Sequence, residues 1–139
     1  MLFDNGEATA LPAGLSPREV TELFLADFKR WNDAAYTSSD DALDTQTQSY
    51  QRGIIGKYCR PGRAHQPIAF SSTADHSPQQ EAVVEESIHA DAAVVRTRFT
   101  VNAEYNIGHD YAYHFTKTPT GWVLEELYLV DADGKTPCL

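Results

Sequence analysis

The stretch from His109 to Asp131, HDYAYHFTKTPTGWVLEELYLVD, constrains the fold more than any other part of the chain. Two alternating runs flank Thr118-Pro119-Thr120-Gly121, where proline pre-sets a negative φ and glycine takes a positive one without steric cost. This pattern predicts a β-hairpin. Its first strand places on one face Tyr111, Tyr113, Phe115 and Lys117, and on the other Asp110, Ala112, His114 and Thr116.

The second strand of this hairpin has no wholly polar face. Its two sets are Trp122, Leu124, Glu126, Tyr128 and Val130 against Val123, Glu125, Leu127 and Leu129. We therefore expect both faces to be covered. Because a two-stranded ribbon is marginally stable alone, the hairpin predicts the middle of a larger sheet with a helical layer.

Two helices are predicted before the sheet. The first begins with a capping box at Ser16-Pro17-Arg18-Glu19 and continues with an apolar stripe. That stripe consists of Val20, Leu23, Phe24, Phe28 and Trp31. The second helix, ending near Tyr58, is weaker, because glycine costs about 1 kcal/mol relative to alanine in a helix interior. Gly53 and Gly56 therefore predict a kink or a close approach near Ile54-Ile55.

The remaining segments complete an α+β order. We interpret residues 1–15 as an N-terminal arm and residues 62–80 as a surface loop, with a short strand considered at 68–70. Residues 81–101 alternate as a second hairpin around Asp91. Helices followed by strands predict a single domain over 16–139, in which N-terminal helices pack on a curved antiparallel sheet of about four strands.

Composition and charge exclude several classes of protein. The chain has 139 residues and a net charge of −9, which argues against nucleic-acid binding because phosphate neutralisation needs clustered Lys and Arg. No apolar run approaches the length of a membrane span, and the N-terminus lacks the basic start of a secretory signal. We therefore expect a cytoplasmic protein that does not bind a membrane.

The charge is unevenly distributed along the chain. Residues 52–74 carry basic side chains and no acid, whereas residues 75–133 hold eleven acids against Arg96, Arg98 and Lys117. An acidic sheet half attracts a basic partner at long range. The alternative is a solvated acidic surface that serves solubility.

No metal or cofactor site is predicted. Cys59 and Cys138 have no CxxC spacing, so we interpret both as free thiols, with a pairing between them left open. His109 and His114 with Asp110 invite a metal site, but adjacent strand positions point to different faces. Phosphate-binding glycine loops and nucleophile elbows are likewise missing from the sequence.

At this point the chain resembles a known fold over residues 16–131. The element order and the aromatic first helix are similar to the nuclear-transport-factor-2-like fold, a cone of helices and curved sheet. Three motifs more narrowly resemble the immunity proteins of that fold from bacterial polymorphic toxin systems. They are Lys57-Tyr58-Cys59, Ser71-Ser72…Asp75-His76-Ser77-Pro78…Glu81, and Tyr111-Ala112-Tyr113-His114-Phe115…Gly121-Trp122. The resemblance implies a non-catalytic protein that binds and neutralises a cognate toxin.

Under this reading the partner-binding residues are acids with neighbouring aromatics that serve as anchors. They are Glu85, Glu86, Asp110, Tyr111, Tyr113, Glu125, Glu126 and Tyr128. The alternative is a small-molecule isomerase, dehydratase or cyclase of the same fold, with Asp75, His76, Tyr111 and Tyr113 as catalytic candidates in a pocket lined by Trp31 and Tyr58. Homodimerisation through the second face of the sheet is compatible with both readings.

Overall fold

A computed structural model describes residues 11–12, 14–37, 43–60 and 62–139, with the side chains of residues 43 and 44 left out. Most of the predicted N-terminal arm therefore lies outside the described residues. The elements run in the order α1 (Pro17–Thr37), α2 (Leu43–Tyr50), a π-helical turn (Gln51–Ile55), α3 (Gly56–Tyr58), β1 (Glu81–His89), β2 (Ala92–Asn102), β3 (Ile107–Thr118), β4 (Gly121–Asp131) and β5 (Gly134–Pro137). Helices precede an antiparallel sheet, so the α+β class is confirmed.

Helix α1 begins with the predicted capping box. The Glu19 amide donates to Ser16 Oγ over 3.1 Å, and Glu19 Oε1 accepts from the Ser16 amide over 2.9 Å. The Arg18 amide, another free donor of the first turn, donates to Glu86 Oε2 of β1 over 2.8 Å. The start of the helix is thereby fixed both to itself and to the sheet that it covers.

The predicted irregularity in the second helix is a π-helical turn. The Gly56 amide donates to the carbonyl of Gln51 instead of the carbonyl four residues back. This widening lets two consecutive side chains, Ile54 and Ile55, both point into the core. The helix ends at Tyr58, since Cys59 is extended with φ −111° and ψ 179°.

The sheet is a simple meander in the order β1-β2-β3-β4-β5, with every neighbouring pair antiparallel. The predicted central hairpin is confirmed as β3 and β4, with Thr118 opposite Gly121 and a φ of +130° at Gly121. The expectation of about four strands is wrong, because the sheet has five. The chain turns at Asp131–Gly134, and β5 pairs with β4. All four β5 residues are exposed. The strand therefore lacks the alternation of apolar and polar residues that would indicate it in the sequence.

Residues 62–80 form no strand and cross the surface as a loop. The short strand considered at residues 68–70 is therefore not formed, although Ile68 and Phe70 do pack against the core. This core lies between the helices and one face of the sheet. Its largest fully buried side chains include Trp31, Tyr58, Tyr113 and Phe24, so the alternating tyrosines of β3 point inward.

Candidate functional site

A polar cluster lies inside this aromatic core, centred on Glu81 at the first position of β1. The Glu81 side chain is 0% exposed. Its Oε2 accepts from Thr97 Oγ1 over 2.6 Å and from Tyr113 Oη over 2.5 Å, while Oε1 lies 2.8 Å from His76 Nδ1. The hydroxyl groups of Thr97 and Tyr113 are the donors to Oε2. We call Glu81, His76, Thr97 and Tyr113 the buried polar cluster.

Local backbone structure places His76 and Glu81 together. The Glu81 amide donates to the Ser77 carbonyl over 2.9 Å, which closes a turn between the surface loop and β1. Thr97 and Tyr113 come from β2 and β3, where Val95 pairs with Tyr113 and Thr97 pairs with Tyr111. The cluster therefore joins the loop to three neighbouring strands.

Aromatic rings enclose the imidazole of His76. Its ring centroid lies 5.7 Å from that of Phe24, 4.9 Å from that of Phe28 and 4.7 Å from that of Tyr111. Burial, together with the negative charge of Glu81, raises the pKa of Tyr113 well above its usual value. Tyr113 consequently stays protonated at neutral pH and remains a hydrogen-bond donor.

The chemistry open to this cluster is limited by its saturation. No buried side-chain nitrogen or oxygen in the described part of the chain lacks a hydrogen-bond partner. Both carboxylate oxygens of Glu81 are already engaged, and aromatic rings occupy the space beside His76. A buried network in which both oxygens of the carboxylate are already hydrogen-bonded positions structural elements, and its Glu81 is not a free base for a substrate.

A second polar contact joins the two helical segments. Asp27 Oδ2 accepts from Lys57 Nζ over 2.7 Å and from Tyr58 Oη over 2.5 Å, and Arg30 Nη1 lies 3.7 Å from Oδ1. Burial and the hydrogen bond to Asp27 raise the pKa of Tyr58. The Lys57-Tyr58 part of the sequence motif therefore holds the end of α3 against α1.

Of the four residues proposed for the alternative catalytic site, three lie at the buried polar cluster and one lies at the surface. His76 and Tyr113 belong to the buried polar cluster, and the ring of Tyr111 packs against His76 at a tilted angle. Asp75 is exposed, and the acid within the cluster is Glu81. Sequence reasoning gave no role to Glu81 or Thr97, although the register of Glu81 with the partly buried Val83 signals an inward-pointing acid.

The predicted pocket residues Trp31 and Tyr58 are core side chains. Each is 1% exposed, and Trp31 Nε1 donates to the Gln46 carbonyl over 3.4 Å. A surface cavity of about 240 Å³ lies near the end of α3. Its lining includes Lys57, Cys59 and Trp122 but neither Trp31 nor Tyr58.

Three of the eight predicted partner-binding residues are exposed acids on or beside β1 and β3. Glu85 lies 3.7 Å from Arg96, and Asp110 lies 3.2 Å from Arg98, in both cases between charged side-chain atoms. Glu86 caps α1 through the Arg18 amide. Glu85, Asp110 and Tyr111 line one surface depression of about 410 Å³, which also includes Val84 and Val130.

Another three of these residues lie on β4. Glu125 pairs with Arg60 over 2.6 Å and Glu126 with Arg63 over 2.8 Å, which fastens the start of the surface loop to the sheet. The ring of Tyr128 is partly buried, with the His114 ring at 5.0 Å and Lys135 Nζ at 4.4 Å from its centroid. Burial, then the charge of Lys135, lowers the pKa of His114.

Tyr111 and Tyr113 are not the exposed anchors that the partner-binding prediction requires. They are 8% and 0% exposed, because their face of β3 is the one that the helices cover. Alternation along a strand defines two faces but does not reveal which of them is inward. The expectation of surface exposure is therefore wrong for these two tyrosines.

Both cysteines are free, as predicted. Burial raises the pKa of Cys59 to about 12, so its thiol stays protonated and is a poor nucleophile. No group of three or more His, Cys, Asp or Glu side chains within the described ranges is arranged to hold a metal ion. In the same ranges, none of the helices has the length and apolarity needed to cross a membrane.

No family model matches this sequence, and neither curated proteins nor solved structures show significant similarity to it.

Proposed function

We propose that this chain is an immunity protein that binds a cognate bacterial toxin domain in the cytoplasm and neutralises it without catalysis. The observation that carries this proposal is the saturation of the buried polar cluster. Glu81 is fully buried and both of its oxygens are already in hydrogen bonds, with Thr97, Tyr113 and His76, so a substrate would have to displace these partners to reach it. The surface is therefore the part of the molecule available for function.

The three motifs behind the resemblance support a nuclear-transport-factor-2-like cone. Lys57-Tyr58 contacts Asp27, and His76…Glu81 contacts Tyr113 of the third motif. Each motif thus lies where two elements meet. A sheet with three register shifts, next to Glu85, Asn102 and Phe115, has the local twist that a curved cone needs.

Charge supports a basic partner. The net charge is −9, and the acids at Glu85, Glu86 and Asp110 are exposed on the sheet. Complementary charge raises the association rate of two proteins more than it fixes their affinity. Charge reversal at Glu85 and Glu86 should therefore slow association at low salt.

The test of the proposed function is to sequence the genes on either side of this one and to co-express the chain with the toxin domain that they encode; flanking genes that encode no toxin would contradict the proposed function. We expect the wild type to restore growth to cells that express the toxin domain, and the two purified proteins to form a stoichiometric complex. A chain that neither protects cells nor binds that domain would contradict the proposed function. A Tyr36→Ala variant is a suitable control, because Tyr36 is an exposed ring on α1 and not on the sheet.

One observation favours the second candidate, a small-molecule enzyme. His76, Glu81 and Tyr113 are the residue types of an acid–base site, and they meet within 3.1 Å. Such an enzyme would have to open the core to admit a substrate. A small molecule that co-purifies with the wild type and is lost from Glu81→Gln, seen by native mass spectrometry, would favour the enzyme over the immunity protein.

A further inference from the structure

The hairpin turn between β2 and β3 exposes an unusual amount of apolar surface. Val101, Tyr105 and Ile107 are 54%, 69% and 52% exposed. We call residues 101–107 the β2–β3 tip. The other large apolar side chains found exposed in the described ranges lie on different elements, at Leu23, Tyr36, Val84 and Ile88. Single exposed apolar residues are ordinary, whereas a cluster of them on one turn indicates an interaction site.

The tip is held in one conformation by its own hydrogen bonds. Asn102 Oδ1 accepts from the Tyr105 amide over 3.2 Å, and the Ala103 carbonyl accepts from the Asn106 amide over 3.3 Å. Asn106 takes a φ of +51°, which asparagine tolerates better than most residues. Arg98 donates to the Asn106 carbonyl over 3.1 Å. An ordered turn loses little conformational entropy on binding, so its apolar side chains are well suited to docking.

The apolar face of the tip continues the face that the helices cover elsewhere. Tyr111, His109 and Ile107 alternate on one side of β3, and exposure rises along this series from the buried Tyr111 to the exposed Ile107. On β2, the buried Phe99 pairs with His109 of this series. The sheet therefore extends beyond its helical layer, and the side chains at its end lack the cover that their inward-facing neighbours have.

Acidic side chains outnumber bases at this end of the sheet. Asp110 pairs with Val130 in the sheet, so the turn that contains Asp131 and Asp133 lies at the same end as the tip, which carries Glu104. Two bases lie nearby, Arg98 beside Asp110 and Lys135 over the ring of Tyr128, so these four acids leave a local net charge of −2. An apolar protrusion within an acidic rim complements a basic protein surface that contains an apolar pocket.

We propose that the β2–β3 tip is the anchor by which this chain docks on a basic protein partner, with Tyr105 and Ile107 entering an apolar pocket. This inference rests on the proposed function, and it names the surface that contacts the toxin. Tyrosine is among the residues most often found as energetic anchors of interfaces, because its large ring is stiff and amphipathic. The buried Tyr111 and Tyr113 have no access to such a role.

The experiment measures the dissociation constant for the neighbouring-gene toxin domain with the wild type, Tyr105→Ala, Ile107→Ser and Tyr36→Ala. We expect the dissociation constant to rise by about 30-fold or more for Tyr105→Ala and to stay within about threefold of wild type for Tyr36→Ala. Both tyrosines are exposed, so both variants should remain folded, which circular dichroism verifies. Glu104→Lys should mainly slow association.

The two proposals can fail separately. Wild-type binding with unchanged affinity for Tyr105→Ala and Ile107→Ser would overturn the tip as anchor while leaving the immunity function in place. A wild type that does not bind the toxin domain would overturn the immunity function and the tip proposal with it. A wild-type dimer that Tyr105→Ala converts to monomer would assign the tip to a second copy and overturn the basic partner.

Discussion

The buried polar cluster and the β2–β3 tip invert the usual distribution of side chains. Inside the core, Glu81 is polar, fully buried and saturated with hydrogen bonds. At the sheet end, Tyr105 and Ile107 are apolar and more than half exposed. The side chains of the first region are covered by the chain itself, whereas the apolar side chains of the second are open to solvent. Polarity alone therefore does not locate function here, whereas the cover of each side chain does.

The largest expected effect is on stability, at the centre of the buried polar cluster. Glu81→Ala leaves the hydroxyls of Thr97 and Tyr113 and the imidazole of His76 without their acceptor. We expect the free energy of unfolding to fall by about 3–5 kcal/mol, because unpaired buried polar groups keep their desolvation cost. Urea unfolding measures this change. A loss below about 1 kcal/mol would mean that water replaces the carboxylate and that the cluster is open.

Alkaline pH should weaken the same core. Burial raises the pKa of Tyr50, Tyr58 and Tyr113 above their unfolded value, so the folded protein holds their protons longer than the unfolded chain. Stability from this source is complete below about pH 10 and falls as pH rises further, by about 1.4 kcal/mol per pH unit for each tyrosine. The tyrosinate absorbance that comes from these three buried phenols should appear together with the loss of helical circular dichroism. Ionisation of these phenols in a folded chain would contradict their burial.

Gly108 lies on β3 directly after the tip, and substituting it tests how closely β2 and β3 must pack there. A Cβ at this position would collide with the backbone carbonyl oxygen of Phe99 on β2. We expect Gly108→Ala to lower the free energy of unfolding by about 1–3 kcal/mol, since the strands must separate to relieve the overlap. Thermal unfolding with Thr100→Ala as the control, at the paired position on β2, checks this expectation. An equal effect of both substitutions would exclude the collision as the cause.

The smallest expected effect on stability is at the tip itself. Tyr105→Ala removes a ring that is 69% exposed and should change the free energy of unfolding by less than about 0.5 kcal/mol. A larger loss would show that the ring supports the fold. The β2–β3 tip would then be part of the packed structure, as the buried polar cluster is.

The sequence predicted the features that depend on residues close together in the chain, such as helix caps and turns. The capping box of Ser16 and Glu19, the glycines around the π-helical turn and the turn at Gly121 all appear where expected. Strand β5 has no comparable signal, because it is four exposed residues held only by pairing with β4.

The candidate site was harder to predict, because its contacts depend on sheet register. Tyr113 meets His76 across 37 positions and Glu81 across 32. Asp110 and Tyr111 were both assigned to partner binding, but neighbouring strand positions point to opposite faces, and only the packing of α1 decides which face is buried. The exposure of the tip was not predicted, since nothing in residues 101–107 shows that the helical layer ends before them.

The most direct test of the account compares the toxin-domain affinity of Glu81→Gln with that of Tyr105→Ala, at a temperature where both variants are folded. Glu81→Gln keeps the shape of the buried side chain and leaves the surface intact. The account predicts a dissociation constant within about threefold of wild type for Glu81→Gln and about 30-fold weaker binding for Tyr105→Ala. The reverse pattern, with neutralisation lost on changing the buried carboxylate and kept without the exposed ring, would contradict it.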